Sequence, residues 1–304
     1  MRLLDAAEVN RRLPMGAAID ALQKGFGTQD PFGSPIRSTV ETPSGSLLLM
    51  PSAGDAGVGV KLVTVSPNNP QVGLAFVNAV YVLFDPESQM PEAVIDGAAL
   101  TALRTAAVSG VATRWLANDD AGRLVIFGAG VQATSHLHAM LAVRPVERVT
   151  VVSRSGERAA GLAIAARTLG VDAGVGTPAE VAEADLICTC TTSPSPVFDG
   201  DRLRAGVHVN AIGAYLPDNR ELDTRTIRNA KLVVETREAA LAEAGDVLIP
   251  IGEGAVGPDH VVADLHQLVR GTVVRTSRED VTVFKSVGLA FEDLVIARAL
   301  LEAE

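Results

Sequence analysis

Lys61 stands in GVGVKLVTV, a run too apolar to carry a lysine by accident. A buried ammonium is costly unless it is paired, so this side chain should face an anion or a site. Arg104 lies in LTALRTAAVSG, among small residues that would let a ligand approach, and no carboxylate is near it in sequence. Arg37 is a third cation in the same mostly apolar half. Three cations without obvious acidic partners suit a substrate carboxylate, although each alone could be one half of a structural ion pair.

A second chemistry is written in GAGVQA, where Gly128 allows a tight turn and Gly130 lets the backbone approach a pyrophosphate. Ala133 takes the close-packing position often given to a third glycine. With Ala129, Val131 and Gln132 these residues would cradle a dinucleotide, the amides of the following helix facing the anion. The motif alone is weak, and a glycine turn of pure packing origin is the alternative. Its context supplies the support, because an apolar strand precedes it and a helix and a second strand follow. An acidic residue at the end of that second strand would accept from the ribose 2′-hydroxyl of NAD and repel a 2′-phosphate. Here the chain has Ser153, Arg154 and Ser155, with Arg158 one turn on. A guanidinium flanked by hydroxyls favours NADPH, with NADH possible, unless Arg154 is only a solvated loop charge.

The elements that must position these groups fall into two patterns. The first hundred residues carry Gly and Pro punctuation and short β-rich runs, SLLLMPS, GVGVKLVTVS and FVNAVYVLFDPES, after one N-terminal helix. This half reads as antiparallel. Gly97 to Ala117 is Ala-rich with helical spacing and no breaker until Asn118, and reads as a bridge between domains. From Arg123 strand and helix alternate: RLVIFGAG, VQATSHLHAMLAV, RVTVVSR, ERAAGLAIAARTLG, then DLICTCTT, GVHVNAIGA, AKLVVET and VTVFKSVG. That alternation predicts a doubly wound parallel sheet. The closing helix, LAFEDLVIARALLEAE, comes after the pattern has ended and is expected to return to the first domain. The expected class is therefore α/β, a Rossmann domain at 117–288 inserted into an α+β domain made of 1–116 and 289–304.

The chain has 304 residues, 47% of them hydrophobic, enough for proper cores, and a formal charge of −10 that argues against nucleic acid or anionic lipid as a partner. The opening MRLLDAAEVNRRLP has no continuous apolar core for a signal peptide or membrane span, so a cytoplasmic protein is expected. Cys188 and Cys190 are too few for a disulfide framework and read as inert core thiols. His136 and His138, two apart on a helix, point in different directions and cannot chelate one metal. His208 reads as a core-strand histidine near the cofactor edge, while His260 and His266 fall in a loop-helix stretch without chemical context. No metal site is expected.

KLVTVSPNNP, YVLFDPESQMPEAVIDGAALTALRTAAVSGVAT, VIFGAGVQA and VNAIGAYLPDNRELD together resemble the ornithine cyclodeaminase and mu-crystallin family over nearly the whole chain. The resemblance implies a homodimer whose substrate-binding and dimerisation domain, built from both termini, flanks an NAD(P)-binding Rossmann domain. It places Arg37, Lys61 and Arg104 in a carboxylate clamp, Met50 in the pocket beside them and Lys61 in the catalytic position. It also implies cofactor contacts at Thr105, Thr191 and Val287. Two departures matter. Leu48 stands where the cyclodeaminases carry an acid for the distal ammonium, and Tyr215 stands where they carry a catalytic Asp. Cyclodeamination is thereby disfavoured, and PDNREL is closer to the mu-crystallin and ketimine-reductase branch.

What the resemblance then implies is NADPH-dependent reduction of a cyclic α-imino acid, Δ1-pyrroline-2-carboxylate or Δ1-piperideine-2-carboxylate, to L-proline or L-pipecolate. Arg37 and Arg104 would grip the carboxylate while Lys61 places its charge near the imine. Asp218, Tyr215 or a water would deliver the proton. An amino-acid dehydrogenase or N-alkyl amino-acid synthase, an ornithine cyclodeaminase-type enzyme, and a mu-crystallin-type protein that holds NADPH and a small ligand without turnover are the alternatives.

Overall fold

The chain opens with a short strand, β1 (Arg2–Leu4), and then two helices rather than one, α1 (Ala6–Arg12) and α2 (Met15–Thr28). Asp5 starts the first by accepting from the Glu8 amide, and Leu13–Pro14 divides the pair, since proline cannot continue a helix from within. The computed structural model describes residues 1–28 and 34–303. These fall into two units, Met1–Val108 with Gly288–Glu304, and Ser109–Val287.

In the first unit β2 (Ser38–Thr42), β3 (Gly45–Gly54), β4 (Gly57–Val65), β5 (Val77–Phe84) and β6 (Pro91–Asp96) join β1 in a six-stranded sheet, in the order β1-β6-β5-β4-β3-β2. All pairings are antiparallel except that of β1 with β6. Strand alternation decides which side chains face the core. On β4 it turns Gly59, Lys61 and Val63 to the buried face and Val58, Val60 and Leu62 to the other. Helix α3 (Gly97–Leu116) follows, and its long Ala-rich run carries the chain from one unit into the other, so the boundary falls within the helix.

The second unit alternates as its sequence predicts: β7 (Arg123–Phe127), α4 (Val131–Val143), β8 (Arg148–Val152), α5 (Gly156–Thr168), β9 (Asp172–Val175), β10 (Leu186–Thr189) and β11 (His208–Ala211). Then come α6 (Thr224–Asn229), β12 (Lys231–Val234), α7 (Arg237–Glu243), α8 (Gly245–Gly252), β13 (Val261–Asp264), α9 (Leu265–Val269) and β14 (Thr282–Lys285). The eight strands are all parallel, in the order β13-β12-β14-β11-β10-β7-β8-β9. The winding reverses between β7 and β10, and in open α/β sheets the crevice at the carboxyl ends of such a pair is where ligands bind.

The last helix, α10 (Ala290–Glu302), belongs to the first unit, where it packs on α2, β3, β4 and β5. Gly25 lets it come close, because a Cβ there would lie 3.0 Å from Val295, and Phe26 meets Phe291 edge-on at 5.0 Å. Among the described residues no helix is long and apolar enough to cross a membrane.

Candidate anion clamp and dinucleotide loop

In the first unit the cations of the sequence reading converge on the start of α10 and the turn before it. Lys61 Nζ lies 3.0 Å from Oδ1 and 2.7 Å from Oδ2 of Asp293. Arg104 donates from Nε to Asp293 Oδ1 at 3.2 Å and from a terminal nitrogen to Glu292 Oε2 at 2.9 Å. Arg37 donates to the Gly288 carbonyl at 2.9 Å. The expectation that Lys61 and Arg104 lack acidic partners is therefore corrected. The partners are 188 to 232 residues away and arrive only because the closing helix returns to this sheet. Glu292 and Asp293 are fully buried, a strong requirement for paired charge. They were missed in the sequence, where the legible sign is an acidic pair inside the apolar run LAFEDLVIA.

The register lines up the remaining residues. Met50 pairs across to Lys61, and Lys61 to Tyr81, so the three share one face. Gly59 makes room for that tyrosine, since a Cβ on it would lie 2.0 Å from the phenol oxygen. Gly288 plays a similar part for Arg104: it sits at φ +83°, and a Cβ there would lie 2.5 Å from the guanidinium. Leu48 packs with Met50, Val63 and Ala290 in an apolar cluster. Burial pulls the Lys61 ammonium down to about 8, with Asp293 opposing and Arg104 and Arg37 adding to the fall. Burial pushes the Tyr81 phenol up, and the Asp293 charge pushes the same way. Thr105 follows Arg104 on α3 and is buried.

In the second unit Gly128 ends β7 at φ +107°, and a Cβ on it would lie 2.5 Å from the Cys190 carbonyl, so only glycine lets the loops after β7 and β10 touch. Gly130 starts α4 with no side-chain cap, and a Cβ there would meet nothing within 4 Å. The helix amides beyond Ala129 and Gly130 thus open onto space that an anion can fill, and Val131 and Gln132 form the first turn. Ala133 is buried, as its packing role requires.

After β8, Ser153 accepts from the Ser155 amide, and Ser155 caps α5 by accepting from the Arg158 amide, both at 3.3 Å. The two serines shape the turn while Arg154 and Arg158 stand exposed beside it. Thr191, just past β10, lies at the same crevice as Gly128. Val287, just past β14, donates its amide to the buried Glu235 at 2.9 Å. The residues of this unit suit a dinucleotide: an open helix N-terminus, a glycine without Cβ where a pyrophosphate would approach, and a guanidinium at the second strand end.

His208 is a core-strand histidine as expected, but its expected place near the cofactor edge is corrected. It begins β11 and hydrogen-bonds Thr282 at the start of β14, at the edge opposite the glycine loop. Burial pulls it down to about 3, and His136, bonded to Ser109 and the Gln132 carbonyl, down to about 4, so both are neutral core groups. His260 bonds the Ile227 carbonyl. Cys188 is buried and its thiol is pushed up to about 12, while Cys190, past the strand end, is half-buried with its thiol also raised. Neither is a ready nucleophile. Tyr215 and Asp218 lie on the turn after β11, half-buried and exposed respectively.

A model of the ornithine cyclodeaminase/mu-crystallin family matches residues 1–303. A Δ1-pyrroline-2-carboxylate reductase of Bacillus cereus is 40% identical over 278 residues, covering 88% of this chain and 85% of its own. The structure of Thermococcus litoralis Δ1-pyrroline-2-carboxylate reductase in complex with NADH and L-proline superposes with a TM-score of 0.94 at 35% identity, covering 100% of this chain and 97% of that one. An archaeal alanine dehydrogenase dimer with bound NAD does so with a TM-score of 0.93 at 30% identity, covering 100% and 95%.

Proposed function

The chain belongs to the ornithine cyclodeaminase/mu-crystallin family, and from that premise we propose that it reduces a cyclic α-imino acid, Δ1-pyrroline-2-carboxylate or Δ1-piperideine-2-carboxylate, to L-proline or L-pipecolate with NADPH, NADH being the second choice. The observation that carries this reading is the set of buried Lys61 and Arg104 with half-buried Arg37, held by Asp293, Glu292 and the Gly288 carbonyl. Cations oriented in advance hold a carboxylate without reorganising. The apolar packing of Leu48 would not hold the distal ammonium of a diamino acid, which favours the imine over ornithine.

A reduced nicotinamide, bound through the glycine loop, supplies the hydride. Arg37 and Arg104 hold the carboxylate and thereby fix C2 of the ring. Lys61 adds a cation beside the C=N bond, which makes its carbon the electrophile. With the ring nitrogen protonated, C2 takes the hydride, the π pair of C=N becomes the lone pair of a neutral amine, and that amine takes one proton. Lys61, with a value near 8, can give that proton at neutral pH, with Asp218 and Tyr215 as the other candidates. The product leaves as the zwitterion.

We further propose a homodimer in the cytoplasm. The face of the six-stranded sheet opposite Lys61 carries Leu49, Val60, Leu62, Val80 and Val82, all half-buried and in lateral register. Such a contiguous apolar face suits a second copy of the sheet.

The test is NADPH oxidation by the purified protein with freshly made Δ1-pyrroline-2-carboxylate, with and without ammonium, and with ornithine plus NAD as control. Oxidation independent of ammonium is expected, with kcat falling above about pH 8 as Lys61 loses its proton. Lys61→Arg keeps the cation but cannot release a proton in that range, so kcat should fall at every pH and the limb should disappear. Turnover only with added ammonium, or ornithine-dependent ammonia release, would move the chain to the dehydrogenase or cyclodeaminase reading.

A further inference from the structure

The turn after β11 rests on three buried charges for which the hydride chemistry has no use. Glu221, Asp246 and Lys285 are each at most 1% exposed. Lys285 Nζ lies 2.8 Å from Asp246 and also donates to the Ala214 carbonyl. Asp246 accepts from the amides of Glu221 and Leu222 at 2.8 Å each. Glu221 then turns back across the crevice edge. Its Oε1 accepts from the Thr191 amide at 2.7 Å and hydroxyl at 2.6 Å, and its Oε2 from the Gly213 amide at 2.6 Å and the Thr189 hydroxyl at 2.8 Å.

Two glycines make the closeness possible. A Cβ on Gly213 would lie 2.0 Å from the Thr191 carbonyl, and one on Gly245 would lie 2.0 Å from the Asn219 carbonyl. One carboxylate thus ties the segment after β10 to the segment after β11, at the switch point where a dinucleotide is expected. Burial pushes the Glu221 carboxyl up, while the Lys285 ammonium works against that shift. The donors also choose the ionised form. Each oxygen receives one backbone N–H, and an N–H cannot reverse its direction as a hydroxyl can. A glutamine here would have to aim its NH2 at either the Thr191 or the Gly213 amide, leaving two donors facing each other whichever way it flips.

We propose that Glu221, held by the Asp246–Lys285 pair, is a positioning residue for the dinucleotide, setting the Thr191 backbone and hydroxyl at the crevice edge. The proposal rests on the reductase reading above, in which Thr191 faces the cofactor.

The test is NADPH binding followed by fluorescence titration, beside separate KM values for NADPH and for the imine, in the wild type and in Glu221→Gln and Thr191→Val. Glu221→Gln should weaken NADPH binding about tenfold or more while the KM for the imine stays within about twofold, since a buried donor left without an acceptor displaces its own segment first. Thr191→Val keeps the amide bond and loses only the hydroxyl, so its NADPH affinity should fall less. Thermal unfolding separates this from general damage. If folded Glu221→Gln binds NADPH as the wild type does, or if both KM values rise together, the proposal fails. Should Glu221→Gln not fold, unchanged NADPH affinity in Thr191→Val overturns it and weakened affinity with an unchanged imine KM supports it. A wild type that binds no NADPH would sink the reductase reading instead, and is told apart by that control.

Discussion

The two candidate sites are built by opposite means. In the first unit the working groups are charged side chains, and each is held by another side chain or carbonyl from the far end of the sequence: Lys61 and Arg104 by Asp293, Arg104 by Glu292, Arg37 by Gly288. In the second unit the working groups are backbone amides at the start of α4, and the loop that presents them is shaped by neighbouring residues. A charged clamp in a buried place needs its counter-charges to exist at all, so its binding and its stability are the same interactions. A glycine loop is different, because the features that serve the ligand and those that serve the fold sit on separate residues.

The sharpest way to break this contrast is to remove Asp293. Asp293→Ala leaves the Lys61 ammonium and one arm of Arg104 buried without their carboxylate, and should destabilise the protein by about 3–5 kcal/mol, as read by denaturant unfolding. Lys61→Met in the same background should recover part of the loss, because it removes the stranded charge. If Asp293→Ala unfolds like the wild type, the cations are not held from behind and the clamp is not a stability element.

The glycine loop offers the complementary test, with a smaller effect. Gly128→Ala meets the Cys190 carbonyl at 2.5 Å in a left-handed backbone, so stability and NADPH binding should fall together, the former by about 1–3 kcal/mol. Gly130→Ala should separate them. Its φ of −102° and ψ of −168° suit alanine and its Cβ meets open space, so the melting temperature should hold. NADPH affinity should nevertheless drop, because the methyl occupies the space where a pyrophosphate would approach. Equal NADPH affinity in Gly130→Ala would return the loop to a packing role.

The same contrast explains what the sequence made legible. The inner strands of the eight-stranded sheet are buried on both faces and read as unbroken apolar runs, RLVIF, LICT and TVFK among them. Of the five strands that went unread, β1, β2, β9 and β13 are the edges of the two sheets. An edge strand needs little apolar surface, and STVET is exposed at every position. The fifth, β6, opens on a proline and carries two acids in six residues. Local conformation was legible: GAGVQA forms the expected glycine turn before a helix, and Ser153–Ser155 the expected turn at a strand end. The clamp cations were also visible, as charges in apolar runs. Their partners were not, because no sequence spacing relates Lys61 to a residue 232 positions later. Glu221 was missed for the same reason, its significance lying in the meeting of two strand ends.

Arg154 gives the mildest test and bears on the second unit alone. The residue is exposed at the end of β8, with its neighbours Ser153 and Ser155 already engaged in shaping the turn, so its guanidinium is the group left to meet a 2′-phosphate. Arg154→Ala should leave stability within about 0.5 kcal/mol, as exposed substitutions do. The loss should fall on one cofactor only. A charge-assisted contact to phosphate contributes about 1.5–3 kcal/mol, so kcat/KM with NADPH should drop by roughly ten- to a hundredfold while that with NADH barely moves. Equal losses with both would mean that Arg154 contacts the part of the dinucleotide common to the two. No loss with either would leave it a solvated charge, and the preference for NADPH would then have to come from Arg158 or from the serine turn itself.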